Sequence, residues 1–184
     1  MKKSAILLLC IVMIFPLVLQ GQRKYAIDRG SVLASGSAGF RIYNDDQDWL
    51  TNLSFSPNLQ YFLIPNLAVG GSLYVDYLTR YYSHGNHSFS RTIFGIGPAL
   101  TYYIGNANSR IYPFFHASAY LSNIVSESGM ENWSNSFSFS GGLAFPISKN
   151  VALTGEAFYS YGKPKDFPGQ HEIGLRFGLA AFIY

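Results

Sequence analysis

Beyond residue 30 the chain divides into eight stretches in which apolar and polar residues alternate, each bounded by turn residues. They run about 31–43, 51–63, 67–80, 90–104, 110–123, 133–146, 151–162 and 170–184. A period of two puts successive side chains on opposite faces of a strand. In the sixth stretch Phe137, Phe139, Leu143 and Phe145 share one parity, and Ser136, Ser138, Ser140, Gly142 and Ala144 the other. Such a strand has one greasy face and one small, polar face. In water the phenylalanines would be the core; in a bilayer they would be the outside.

The ionisable residues inside the strands lie opposite the apolar face. Arg41 opposes Val32, Ala34, Ala38, Phe40 and Ile42; Asp76 and Arg80 oppose Leu67, Val69, Leu73 and Val75. Arg91, His116, Glu156, Glu172 and Arg176 follow the same rule on later strands. A charge facing lipid at mid-membrane costs about 2–4 kcal/mol. A soluble sandwich would sort its charges the same way, so other features must decide. One is length, since ~9–11 tilted residues cross a bilayer and soluble strands commonly have ~5–6. A second is the apolar side, large and branched in strand after strand with no helical pattern to cover it. A third is the grouping of Tyr43, Trp49, Tyr61, Tyr81, Tyr82, Tyr102, Tyr103, Tyr112, Trp133, Tyr159, Tyr161 and Tyr184 near strand ends, where two interfacial girdles would lie.

The connections point the same way. Ile64-Pro65-Asn66, Gly105 to Ser109 and Ser148-Lys149-Asn150 read as tight turns, and 44–50, 81–89, 124–132 and 163–169 as longer, more polar loops. Short periplasmic turns alternating with longer outer loops is the pattern of an outer-membrane barrel. With 14 Tyr, 15 Phe, 18 Gly and only 12% charged residues, the composition excludes a disordered chain. The expected fold is all-β, an eight-stranded antiparallel up-and-down transmembrane β-barrel.

Residues 1–21 read as a cleaved signal peptide and 22–184 as the barrel domain. Lys2 and Lys3 precede an apolar run from Ala5 to Leu19, too short for a membrane helix of ~20 residues. Cys10, the single cysteine, is an apolar filler of that signal, so no disulfide or cysteine metal site is expected. Lys2 and Lys3 are two of the 13 basic residues; the remainder nearly balances the 10 acidic ones, which gives nucleic acid no footprint.

The ending GLRFGLAAFIY resembles the last strand of outer-membrane barrel proteins, which finish on an aromatic read by the barrel-assembly machinery. Phe182 and Tyr184 match that assembly signal. With the signal, the eight strands and the turns, the mature chain resembles the small eight-stranded outer-membrane barrel family and is similar in architecture to the transmembrane domain of outer membrane protein A. The resemblance implies outer-membrane lipid, lipopolysaccharide and the assembly machinery as partners, a monomer, and no cofactor. One departure is that Phe182 and Tyr184 share parity with Arg176, not with Leu175 and Phe177. Either the last residues face inward or a bulge near Ala180-Ala181 switches the face.

Side chains nearly fill an eight-stranded barrel, so inward charges must be paired. A hairpin folding about Asp166 sets Glu156 opposite Arg176. Arg41 stands at comparable height on the closing strand, and Asp76, Arg80 and Arg91 share the lumen on strands three and four. These six form an expected lumen salt-bridge network, read as a plug that satisfies buried charge or as a gate for small ions. His116-Ala117-Ser118 resembles the His-x-Ser pair of outer-membrane lipid A deacylases. Here that pair faces the lumen rather than lipid and lacks a nearby carboxylate on strand six; Glu127 and Glu131 sit in a loop. His116 is therefore read as an interior hydrogen-bonded residue and the enzyme as a weaker alternative. The acids at 45, 46 and 48 lack the glycine and final glutamate of a calcium loop and read as a solvated turn, so no metal is expected. The leading function is a non-enzymatic outer-membrane protein with a structural or surface-interaction role. The alternatives are a narrow ion or small-solute channel, a lipid A-modifying enzyme and a secreted lipocalin-like carrier.

Overall fold

The computed structural model describes residues 27–45, 48–81, 88–105, 109–126, 129–164 and 169–183. The signal at 1–21, Asp46 and Gln47 of the acidic turn, Glu127 and Tyr184 lie outside the described residues, as do the side chains of Arg41, Asp45, Asp48 and Glu131.

Eight strands form in chain order: β1 Val32–Asp45, β2 Asp48–Ile64, β3 Leu67–Tyr81, β4 Ser88–Tyr103, β5 Tyr112–Ser126, β6 Gly129–Pro146, β7 Val151–Pro164 and β8 Gln170–Ile183. Each pairs antiparallel with the next, and β8 returns to β1 to close the barrel. The seventeen residues of β2, at about 3.3 Å each and a tilt near 40°, rise roughly 40 Å, well beyond an apolar band of ~25 Å.

The apolar parity faces out. Phe55, Leu59, Phe94, Ile96, Phe139, Leu175 and Phe177 are all at least half exposed on the outer wall. Their inward neighbours Ser54, Ser56, Gln60, Ser138, Ser140 and Arg176 are buried. A barrel with this surface is soluble in lipid, not in water.

Two expectations are corrected and one open alternative is resolved. The strands run further than the alternation suggested: β1 pairs with β2 as far as Asp45↔Asp48, and β5 with β6 as far as Ser126↔Gly129. Only residues 46–47 and 127–128 separate those pairs, whereas 104–111 joins β4 to β5 at the other end, so the connections do not alternate short and long. The reason is that strand ends projecting beyond the bilayer carry polar residues on both faces, which by composition resemble loops. Second, Tyr103 and Tyr112 belong to no girdle; they are buried in the lumen at 2% and 0% exposure. Third, no bulge interrupts β8, whose ladders run unshifted through Val151↔Ala181 and Val32↔Ile183. Phe182 therefore points into the barrel and Ile183 outward.

The core sits at the end of the barrel where the described chain begins and ends, at Ile27 and Ile183. Ile27, Leu33, Phe62, Ala68, Tyr103, Tyr112, Phe114, Ala144, Ala152, Ala180 and Phe182 form one buried cluster. Phe62, Tyr103 and Phe182 have mutual ring-centroid distances of 5.7–6.3 Å, and Phe114 lies 5.7 Å from Tyr103. Alanines opposite the rings leave them room, and the lumen there is packed shut.

Candidate functional site: the layered lumen

Above the aromatic plug the lumen is polar. Glu156 on β7 and Arg176 on β8 are ladder partners, with Arg176 Nε 3.2 Å from Glu156 Oε1 and both side chains over nine-tenths buried. Small neighbours make this placement sterically feasible. A Cβ at Gly142 would stand 2.8 Å from both Glu156 Cβ and Phe114 Cζ, so the glycine leaves the recess that Glu156 occupies. A Cβ at Gly174 would strike the Phe158 ring, and that ring lies 4.0 Å from the Arg176 guanidinium carbon in a cation–π stack.

Serines complete the pair. Ser140 donates from Oγ to Glu156 Oε2 at 2.6 Å, and Arg176 donates to Ser138 Oγ at 3.4 Å. Burying two charges costs several kcal/mol per ion, which mutual attraction offsets only if the remaining lone pairs and protons are satisfied. Ser138 and Ser140 on β6 supply those two hydrogen bonds and take up little volume, while Arg176 Nε stands in ion-pair contact with Glu156 without a hydrogen bond.

Asp76, 5% exposed, accepts from Asn52 Nδ2 at 2.8 and 2.9 Å, one bond to each carboxylate oxygen. Asn52 is the residue that sequence reasoning missed. Its signal was its inward parity on β2, two residues from Ser54, which the ladder sets opposite Asp76. Arg41 is opposite Asn52 in the β1–β2 ladder. Arg91 pairs across the ladder with Leu78, and Arg80 with Phe89. The lumen charges thus fall into a Glu156–Arg176 centre and a separate group around Asp76 nearer the hairpin end, the end opposite Ile27 and Ile183 where β1–β2, β3–β4, β5–β6 and β7–β8 are joined.

His116 and Ser118 are buried at 9% and 6% exposure on β5, but they serve different partners. His116 Nδ1 shares a 2.9 Å hydrogen bond with Thr101 Oγ1. Ser118 donates to Tyr120 Oη at 3.0 Å, and that hydroxyl also bonds Ser72 Oγ at 2.8 Å. Among the described residues no hydrogen bond joins His116 to Ser118, and no group of three His, Cys, Asp or Glu side chains could hold a metal. A nucleophile–base contact, the geometric minimum for such catalysis, is not made.

Two cavities flank the Arg176 layer. Below it lies a chamber of about 30 Å³, lined by Thr101, Tyr103, His116, Glu156 and Arg176 among others. Above it a vestibule of about 720 Å³ occupies the hairpin half, lined by Asn52, Tyr74, Asp76, Arg91, Glu172 and Arg176 among others. Arg176 and Tyr120 line both spaces and form the floor between them.

No protein-family model matches the sequence, and no curated protein is similar to it. Solved structures are. Neisserial surface protein A is 18% identical with a TM-score of 0.58, over 83% of this chain and 96% of that one. The outer membrane protein OprG from Pseudomonas aeruginosa is 9% identical with a TM-score of 0.53, over 90% of this chain and all of that one. At these identities the likeness concerns the backbone, and the backbone has the fold of the eight-stranded outer-membrane β-barrels.

Proposed function

We propose that the chain is an exported, non-enzymatic outer-membrane protein that does not conduct and acts at its hairpin end. One observation carries this reading. The terminal half of the lumen is filled by Leu33, Phe62, Tyr103, Tyr112, Phe114 and Phe182, each at most 5% exposed, while the hairpin half keeps a 720 Å³ vestibule. A lumen open at one end and packed at the other suits binding or surface contact and does not suit passage. The narrow-channel alternative loses support from the same packing. In this reading Glu156 and Arg176 neutralise each other and Asn52 satisfies Asp76, with Arg80, Arg91 and Arg41 read as the remaining charges of the lumen network.

The partners that follow are outer-membrane lipid and lipopolysaccharide around the belt and the barrel-assembly machinery during insertion. Phe182 and Tyr184 are the residues proposed for that assembly signal. Planar-bilayer recording of the purified full chain tests the function. A flat trace is expected; stable single-channel steps would replace this reading with the channel. Heat-dependent gel mobility after detergent extraction checks the barrel, and an unchanged lipid A mass profile in expressing cells is expected if His116 and Ser118 are structural.

A further inference from the structure

The vestibule has two unlike walls. β3, β4 and β5 line it with Tyr74, Leu78, Ile93, Tyr120 and Ile124. Ile93 and Ile124 are ladder partners, and the rings of Tyr74 and Tyr120 stand 5.7 Å apart, tilted by 40°. The Tyr120 hydroxyl bonds Ser72 Oγ at 2.8 Å and accepts from Ser118 at 3.0 Å, which fixes its ring. Gly95, on β4 between the two tyrosine strands, makes room for that ring: a Cβ there would stand 3.3 Å from Tyr120 Cβ and 3.6 Å from its Cδ1. Unlike the rings of the terminal plug, these apolar groups do not close on one another; they border an open space of about 720 Å³.

Across the lumen the wall is hydroxylated. β7 stands four strands from β3 in the closed order. Ser134 and Ser136 on β6 and Ser160 on β7 line the same cavity. Among the described residues no hydrogen bond engages their Oγ atoms, although Ser134 is over nine-tenths buried. Each of these hydroxyls can both donate and accept. Three of the charges that line the space are already engaged: Asp76 accepts from Asn52, Arg176 faces Glu156, and Glu172 has a partner of its own. Arg91 adds donors and no acceptor, and its Nε has no hydrogen-bond partner among the described residues.

We propose that the vestibule is a binding site for a neutral saccharide. A pyranose carries C–H groups on its faces and hydroxyls around its rim. One face packs on the wall of Tyr74, Ile93 and Ile124. The rim exchanges hydrogen bonds with Ser134, Ser136 and Ser160, and Arg91 donates to a sugar oxygen. An acyl chain would leave those serines unmatched, and an anion would gain one guanidinium but share the cavity with Asp76 and Glu172. The open volume lies within the ~300–1,000 Å³ usual for small-ligand pockets, and an apolar wall with a few converging polar groups is their usual lining. The proposal deepens the reading that the chain acts by binding at its hairpin end, and rests on it.

The test uses the full chain in phosphatidylcholine nanodiscs, which hold no sugar. Maltose, lactose and cellobiose are titrated by saturation-transfer NMR, beside glucuronic acid as the anionic sugar and cyclohexanol as the apolar ring. At least one neutral disaccharide should bind, with saturation strongest on the C–H protons of one ring face. Tyr74→Ala should raise its Kd about tenfold by removing a ring contact. Ser136→Ala with Ser160→Ala should raise it about as much by removing two hydrogen bonds. Binding of none of the three disaccharides overturns the proposal, as does tighter binding of glucuronic acid or cyclohexanol than of all three, or an unchanged Kd in the double serine variant. If Tyr74→Ala does not fold, as heat-dependent mobility shows, the serine variant decides alone. The two readings fail separately: channel steps in a planar bilayer replace the non-conducting reading whether or not sugar binds, and a silent, folded barrel that binds no sugar overturns this site alone.

Discussion

Glu156 and Arg176 face each other across the β7–β8 ladder, 3.2 Å apart between Oε1 and Nε, in a recess that Gly142 leaves open. Removing one partner leaves the other charge buried and alone, which costs about 3–5 kcal/mol. Glu156→Ala should therefore shift the urea midpoint of the vesicle-embedded barrel strongly downward. The double variant Glu156→Leu with Arg176→Met should lose much less, because it leaves no orphan charge. Wild-type unfolding of Glu156→Ala would show that the pair is not the buried ion pair described.

The glycines beside this pair should differ in sensitivity. A Cβ at Gly142 meets Glu156 Cβ, Phe114 Cζ and the backbone oxygen of Gly155, which has little freedom to move. At Gly174 it meets the outer edge of the Phe158 ring, which can swing away. Overpacking typically costs about 1–3 kcal/mol, so Gly142→Ala should fall at the upper end and Gly174→Ala at the lower. Denaturant midpoints in the same vesicles rank them, and the reverse order would contradict the packing.

Much of this was legible before the fold was known, for reasons that differ by residue. Alternation at period two assigns faces strand by strand, so the outward Phe139 and inward Ser138 follow from parity. A hairpin fixes register by arithmetic: a turn about Asp166 sets 156 against 176, and those residues are ladder partners. The β1–β8 seam has no such turn. It joins chain ends more than a hundred residues apart, so nothing local announces where its ladder stops. Tyr103 and Tyr112 misled because an aromatic near a strand end suits either a girdle or a plug; parity with Thr101 and Phe114 was the clue that they point inward. Asn52 was passed over because an amide carries no charge to pair, yet it holds both oxygens of Asp76.

The outward belt gives a depth-dependent prediction. Phe139 is 50% exposed midway along β6 and stacks with Phe115 at a ring distance of 6.1 Å. Phe139→Arg should cost about 2–4 kcal/mol in a bilayer, whereas Phe139→Leu should cost far less. Folding yield into vesicles, read by heat-dependent mobility, separates the two. Equal yields would mean that this face does not contact lipid.

The plug can be tested by opening it. Phe62 is fully buried and contacts both Tyr103 and Phe182 through its ring. Phe62→Ala removes a ring from a packed cluster, at a cost of about 3–5 kcal/mol, and leaves space between the small chamber and the terminal end. If the plug is what blocks the lumen, the variant should show ion steps in a planar bilayer while the unmodified chain stays silent. Tyr103→Phe alone, which keeps the ring but removes a hydroxyl, should not open the lumen. That control separates loss of volume from loss of polarity. A folded but silent Phe62→Ala would place the block higher, at the Arg176 and Tyr120 floor, and Phe62→Ala combined with Arg176→Met would then be the variant expected to conduct.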